Sequence, residues 1–265
     1  MTAGFEQILN WRLLAGSHDF PGPDGGTCIN EAAIVAAGLP YRAIRASADC
    51  PPCFSPPLTA YALGLNDAMP DAERPRLMTF VLRLSGSADA PAVEAERIAF
   101  LALASVRRLL PPLLDRAGLP ALAAACDGAA DVEGALAAAR AAAWQGGARA
   151  QEASQRGGWA QGARASAVAR AATAAVKAFA DARCAAEVAE GVAPFVPEAW
   201  ACAVAILDEA LGIGRRAAPL EIALVQRRLD AARAEPAETL GQTGAGAAAG
   251  SKVTVWQLSS QTPVR

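Results

Sequence analysis

Eleven of the 22 positions from Ala129 to Ala150 are alanine. Alanine has the highest helix propensity and is depleted from strands, so such a run commits a long middle section to helix. It also limits what that helix can bury. An alanine face contributes little apolar area, and the 53% hydrophobic content of the chain overstates the strength of its core. Elsewhere the helical period is carried by larger residues. Trp200, Val204, Leu207 and Leu211 follow an i, i+4, i+7, i+11 stripe, and the triplets Leu58, Ala62, Leu65 and Leu77, Val81, Leu84 each follow i, i+4, i+7. No segment alternates with period two between hairpin turns, and no strand–helix–strand rhythm appears. The expected fold class is all-α: an irregular multi-helix array with a loop-rich N-terminal third and a flexible C-terminal tail.

Composition divides the chain at about residues 88 and 234. In the loop-rich unit 1–88, the stretch from Ala15 to Gly26 is too dense in Gly and Pro for regular structure. Thr27 is placed to cap a helix from Cys28 to Ala37, which Gly38 and Pro40 stop. A second rigid loop, from Asp49 to Pro57, lets Ser55 cap a helix that starts at Pro56 and ends near Asn66 and Asp67. A further helix is predicted over 71–84. In the alanine-rich array 89–234, Asp89 caps a helix over 90–110 that Pro111-Pro112 should terminate. Helices over 112–117, 120–126, 131–145, 163–190 and 197–212 follow, with Gly146-Gly147 and Gly157-Gly158 framing a weak stretch. Pro219 starts a last helix bearing Ile222, Val225 and Leu229 on one face, and the tail 235–265 is rich in Gly, Ala, Ser and Thr.

Charge excludes one class of partner. The 24 basic and 26 acidic residues give a net charge of −2, with no broad basic field for nucleic acid. The opening residues lack the basic and apolar regions of a secretory signal. The most lipid-like run, Ala99 to Val106, is far shorter than the roughly 20 residues a membrane helix requires. Six cysteines are too few for a disulfide-built scaffold of this length. The expectation is a cytoplasmic chain with reduced thiols that binds neither nucleic acid nor membrane.

The residues with chemical potential gather between His18 and Asp67. Cys50-Pro-Pro-Cys53 has the spacing with which two thiolates share one metal, and His18 and Cys28 can complete a tetrahedral zinc site. The same C-x-x-C pair admits a redox reading, without the βαβ context such motifs have. A third reading makes Cys28 a nucleophile. It would open a helix whose dipole favours thiolate, with His18 as base, Asp24 or Asp19 orienting the imidazole, and backbone N–H groups of Asp24-Gly25-Gly26 as an oxyanion hole. Against all three stands packing: free cysteines behave as small hydrophobes, and Cys126, Cys184 and Cys202 sit alone in helical patterns. Asn30, Glu31, Asn66 and Asp67 either line a pocket with Cys28 or cap the ends of their helices. The arginine pairs 107–108, 215–216 and 227–228 fit helix-dipole complements better than phosphate sites. Neither a P-loop nor a G-x-G-x-x-G after a strand occurs.

The stretches GPDGGTCINEAA (22–33), DCPPCFS (49–55) and LNDAMPD (65–71) resemble those of a group of uncharacterised bacterial proteins. The resemblance covers the first third of the chain and implies no catalytic residue, only that this third acts as one unit. With no complete catalytic set, the expected function is a non-enzymatic helical scaffold or interaction module that offers a groove to a protein partner or to itself. No cofactor is expected on that reading, and zinc on the alternative one.

Overall fold

The computed structural model describes residues 12–18 and 26–214, together with 223–225, 227, 228 and 230. It is all-α apart from a minimal parallel pairing of β1 (Arg12–Leu13) with β2 (Gly26–Thr27). The helices are α1 (Ile29–Ala36), α2 (Pro56–Ala68), a 3-10 turn over Arg74–Phe80 leading into α3 (Val81–Leu84), α4 (Pro91–Ala104), a π turn over Ser105–Leu109 leading into α5 (Leu110–Arg116), α6 (Pro120–Asp127), α7 (Val132–Gln155), α8 (Trp159–Ala178), α9 (Ala182–Val192) and α10 (Ala199–Ala210). The last predicted helix lies mostly, and the tail wholly, outside the described residues.

All eight residues of α1 are buried. Its cap is Cys28 rather than Thr27. The Cys28 Sγ accepts from the Glu31 N–H at 3.4 Å, while a Glu31 carboxylate oxygen accepts from the Cys28 N–H at 2.9 Å. This is a capping box with sulfur in the place of the usual hydroxyl. The stop at Gly38 is as expected: φ is +76°, and the Leu39 and Gly38 N–H groups donate back to Ile34 and Val35. Arg228 donates to the Ala36 carbonyl, so one arginine of the 227–228 pair complements the C-terminus of α1.

The compositional boundary near residue 88 does not divide the core. The described residues on both sides of it belong to one compact unit. Tyr61 of α2 donates to the Ala203 carbonyl of α10 at 3.1 Å. At Gly64 a Cβ would stand 2.7 Å from the Ala186 Cβ, so α2 and α9 approach at a distance only glycine permits.

Two predicted helix ends are absent. Pro111 and Pro112 lie inside a continuous helical rod, because the π turn before them carries the chain in; Leu110 N–H donates to Ser105 five residues back. The prolines then occupy first-turn positions of α5, where their missing N–H groups are harmless. Gly146-Gly147 likewise does not break α7, which runs to Gln155. A Cβ at Gly146 would lie 2.8 Å from the Ala169 backbone nitrogen and 3.0 Å from the Ala165 oxygen, both in α8. At Gly147 nothing lies within 4 Å. Adjacent glycines therefore have opposite prospects. Gly146→Ala is expected to destabilise by ~1–3 kcal/mol through overpacking against rigid backbone. Gly147→Ala should stabilise by ~0.5–1 kcal/mol through helix propensity. Urea unfolding of both variants checks the sign, and a stabilised Gly146→Ala would refute the close approach.

Candidate functional site

The polar residues singled out between His18 and Asp67 converge on the N-terminal end of α1. Glu31 is fully buried, and its carboxylate accepts five hydrogen bonds. One oxygen takes the Ser17 hydroxyl at 3.0 Å, the His18 N–H at 3.3 Å and the Ile44 N–H at 3.0 Å. The other takes the Thr27 hydroxyl at 3.2 Å and the Cys28 N–H at 2.9 Å. Buried Asn66 accepts from the Ile29 N–H at 3.2 Å and donates to the Leu14 carbonyl at 2.7 Å. Asp67 accepts from Gly16 N–H at 2.9 Å and from Arg183 at 2.8 Å. Asn30 donates to the Thr59 carbonyl at 3.0 Å. Capping and cross-linking occupy Glu31, Asn66 and Asp67, which tie the segment 12–18 and the 40s loop to α1 and α2, while the buried Asn30 Oδ1 has no hydrogen-bond partner.

His18 enters this knot through its backbone. Its carbonyl accepts from the Tyr41 hydroxyl, and its ring Nε2 lies 3.0 Å from the Ala15 carbonyl oxygen. Cys28 caps α1, whereas Cys50 and Cys53 lie on the loop before α2. Among the described residues no three or more His, Cys, Asp or Glu side chains are placed to hold one metal ion, so His18, Cys28, Cys50 and Cys53 are not brought together as a ligand set. Asp24 and Asp19 lie outside the described residues.

The Cys28 thiol also sits in surroundings different from those expected at an open helix start. Burial, reinforced by the Glu31 carboxylate, pushes the Cys28 thiol far above its ordinary value. The expected lowering by the helix terminus is outweighed, because desolvation of a fully enclosed thiolate exceeds a terminal dipole. Burial raises half-buried Cys50 to about 11, whereas Cys53 is exposed. All six cysteines are free, and Cys126 and Cys184 are buried as packing residues.

Beside Cys50 the structure forms a groove that neither motif nor spacing announces. It encloses about 720 Å³ between the proline-rich loop (Cys50, Pro51, Pro52) and the exposed start of α4 (Pro91, Ala95, Ile98). Its two walls are held by a buried polar network. The Ser55 N–H donates to the Ser87 hydroxyl at 3.0 Å, and the Ser55 hydroxyl donates to Glu94 instead of capping α2. Glu94 also accepts from the Asp89 N–H at 2.8 Å and from Arg97 at 3.1 Å. Fully buried Arg97 donates onward to the Ser87 carbonyl at 2.7 Å and to the Ile213 carbonyl at 2.7 Å. Phe54 bridges to Ser85, and the Ala88 N–H donates to the Cys53 carbonyl at 3.1 Å. The i, i+3 spacing of Glu94 and Arg97 is legible in the sequence, but an ion pair facing outward has the same spacing.

No protein-family model, curated protein or solved structure matches this chain. No helix among the described residues is long and apolar enough to cross a membrane.

Proposed function

We propose that this chain is a non-enzymatic helical interaction module that takes an apolar segment of a partner protein into the groove between the 50–54 loop and α4. The observation that carries this reading is the pairing of an open, apolar surface with a rigid frame. Prolines stiffen one wall, and the Ser55–Glu94–Arg97–Ser87 network fixes it against the other. Preformed walls reduce the ordering entropy that binding otherwise opposes. The Glu31 carboxylate at the N-terminal end of α1 supports the same reading, since both its oxygens are taken up by hydrogen bonds within the fold. Free cysteines throughout fit a reducing, cytoplasmic setting.

The test is selection of peptides from a displayed random library on the purified full-length chain, followed by affinity measurement on the selected peptides. Peptides with an apolar anchor are expected. Ala95→Asp and Ile98→Asp should each weaken them about tenfold or more, because a carboxylate in the groove opposes burial of an apolar side chain worth ~1.5–3 kcal/mol. Ala95 is exposed, so its variant leaves the core untouched. Selected peptides that bind both variants as tightly as the parent protein would overturn the assignment.

A further inference from the structure

A second concave surface, on the opposite chemical footing, lies where α7 turns into α8. The α7 end is a Schellman turn: Gly157 has φ +73°, the Gly158 N–H donates to the Ala153 carbonyl at 2.8 Å, and α8 begins at Trp159. This tight reversal brings the last turns of α7 against the first turns of α8, and the C-terminal end of α5 closes the third side. The resulting cleft encloses about 350 Å³ and is lined by Arg116, Arg149, Arg156 and Arg164, with Glu152 and Gln161. Between 134 and 180 the chain carries six basic residues and one acidic residue, although its overall net charge is −2. Arg116 donates to the Phe195 carbonyl and is thereby anchored. Among the described residues Arg149, Arg156 and Arg164 have no hydrogen-bond or ion-pair partner.

We infer that this cleft is a binding site for an oligophosphate: two or three linked phosphoryl groups, free or as the tail of a nucleotide. Four guanidinium groups against one carboxylate repel one another on a shared concave wall, and an anion placed among them removes that repulsion. Guanidinium forks match the oxygens of phosphate in paired hydrogen bonds, which is the geometry that favours arginine over lysine at such sites. Size and charge select within the anions. At ~30 Å³ of liquid volume per water, the cleft has room for about a dozen waters, more than one orthophosphate fills. A net +3 on the lining calls for a multiply charged ligand. Alanine and glycine make up the rest of the lining, and no aromatic side chain is there to stack on a base. The phosphates alone are therefore recognised.

Calorimetric titration of the full chain tests this with tripolyphosphate, pyrophosphate, orthophosphate and ATP as the actual probes. Saturable binding of one tripolyphosphate per chain is expected, tighter than pyrophosphate and at least about tenfold tighter than orthophosphate, and weakening as salt shortens the Debye length. Arg149→Ala with Arg164→Ala should weaken tripolyphosphate at least about tenfold, a loss in line with that of charge-assisted hydrogen bonds. Arg149→Lys should fall between, since it keeps the charge and loses the fork. Arg140→Ala and Arg170→Ala, on the same hairpin outside the cleft, should leave binding unchanged. ATP within about threefold of tripolyphosphate supports recognition of the phosphate tail alone, by the stacking argument; ATP bound much more tightly overturns that part and makes the nucleotide the ligand. Absence of saturation, equal affinity for orthophosphate, or equal loss in the two outside variants overturns the site.

Discussion

Glu31→Ala is expected to remove ~4 kcal/mol or more of folding stability, since each buried donor left unpaired costs ~1–3 kcal/mol. The substitution leaves the Cys28 and Ile44 N–H groups and the Thr27 hydroxyl without their acceptor in a region sealed from water. It also releases the Ser17 hydroxyl and the His18 N–H, which hold the 12–18 segment in place. A typical domain has a total stability of ~5–15 kcal/mol, so the variant should populate an opened N-terminal region under native conditions. Glu31→Gln keeps the shape but turns one acceptor into a donor facing donors, and should cost ~2–3 kcal/mol. Urea unfolding gives the magnitude, and hydrogen exchange at Ile44 and α1 gives the location. Both variants unfolding within ~0.5 kcal/mol of the parent chain, the range of ordinary surface substitutions, would refute the role assigned to this carboxylate.

Arg97→Ala is expected to cost ~3–5 kcal/mol, the usual penalty for removing one partner of a buried charged network. Arg97 is fully buried, with bonds to Glu94, Ser87 and Ile213. Its removal leaves the mostly buried Glu94 with a lessened complement of donors and two carbonyls without theirs. Arg97→Lys should recover little, because a single ammonium cannot span acceptors arranged for a planar fork. At ~2–4 °C per kcal/mol for a chain of this size, Arg97→Ala should melt about 6–20 °C below the parent. A double-mutant cycle with Glu94→Gln separates the pair from the carbonyl contacts. Melting within about 2 °C of the parent would show that the network does not hold the groove walls.

Much of the helical framework is legible in the sequence because local signals and global packing agree there. Gly38 ends α1, Pro56 opens α2, and Pro120 opens α6, each where residue chemistry demands it. The misreadings come from residues whose role is set by distant neighbours. Gly146 reads as punctuation, yet it is a contact surface for α8, a fact that resides in Ala165 and Ala169. Pro111-Pro112 reads as a stop because proline is assessed against an α-helical register, and the preceding turn is not in that register. Glu31 is open in the sequence between a pocket and a capping role, and its burial depends on the 12–18 and 40s segments folding over it. The groove and the arginine cleft were not legible, since each is assembled from segments tens of residues apart.

The π turn has a consequence for how the leucine-rich rod is read. Each residue of an α-helix advances the side chains by about 100°, so one extra residue held in a π turn resets the angular phase of everything after it. Arg97, Leu101 and Ala102 before the turn and Leu110, Leu113 and Leu114 after it are all buried. In an uninterrupted α-helix the second set would be centred about 150° around the rod from the first. The extra residue of the π turn takes up about 100° of that offset. Residues 105–109 thus act as a phase corrector, and the length of that segment, more than its side chains, decides which way the three leucines after it face.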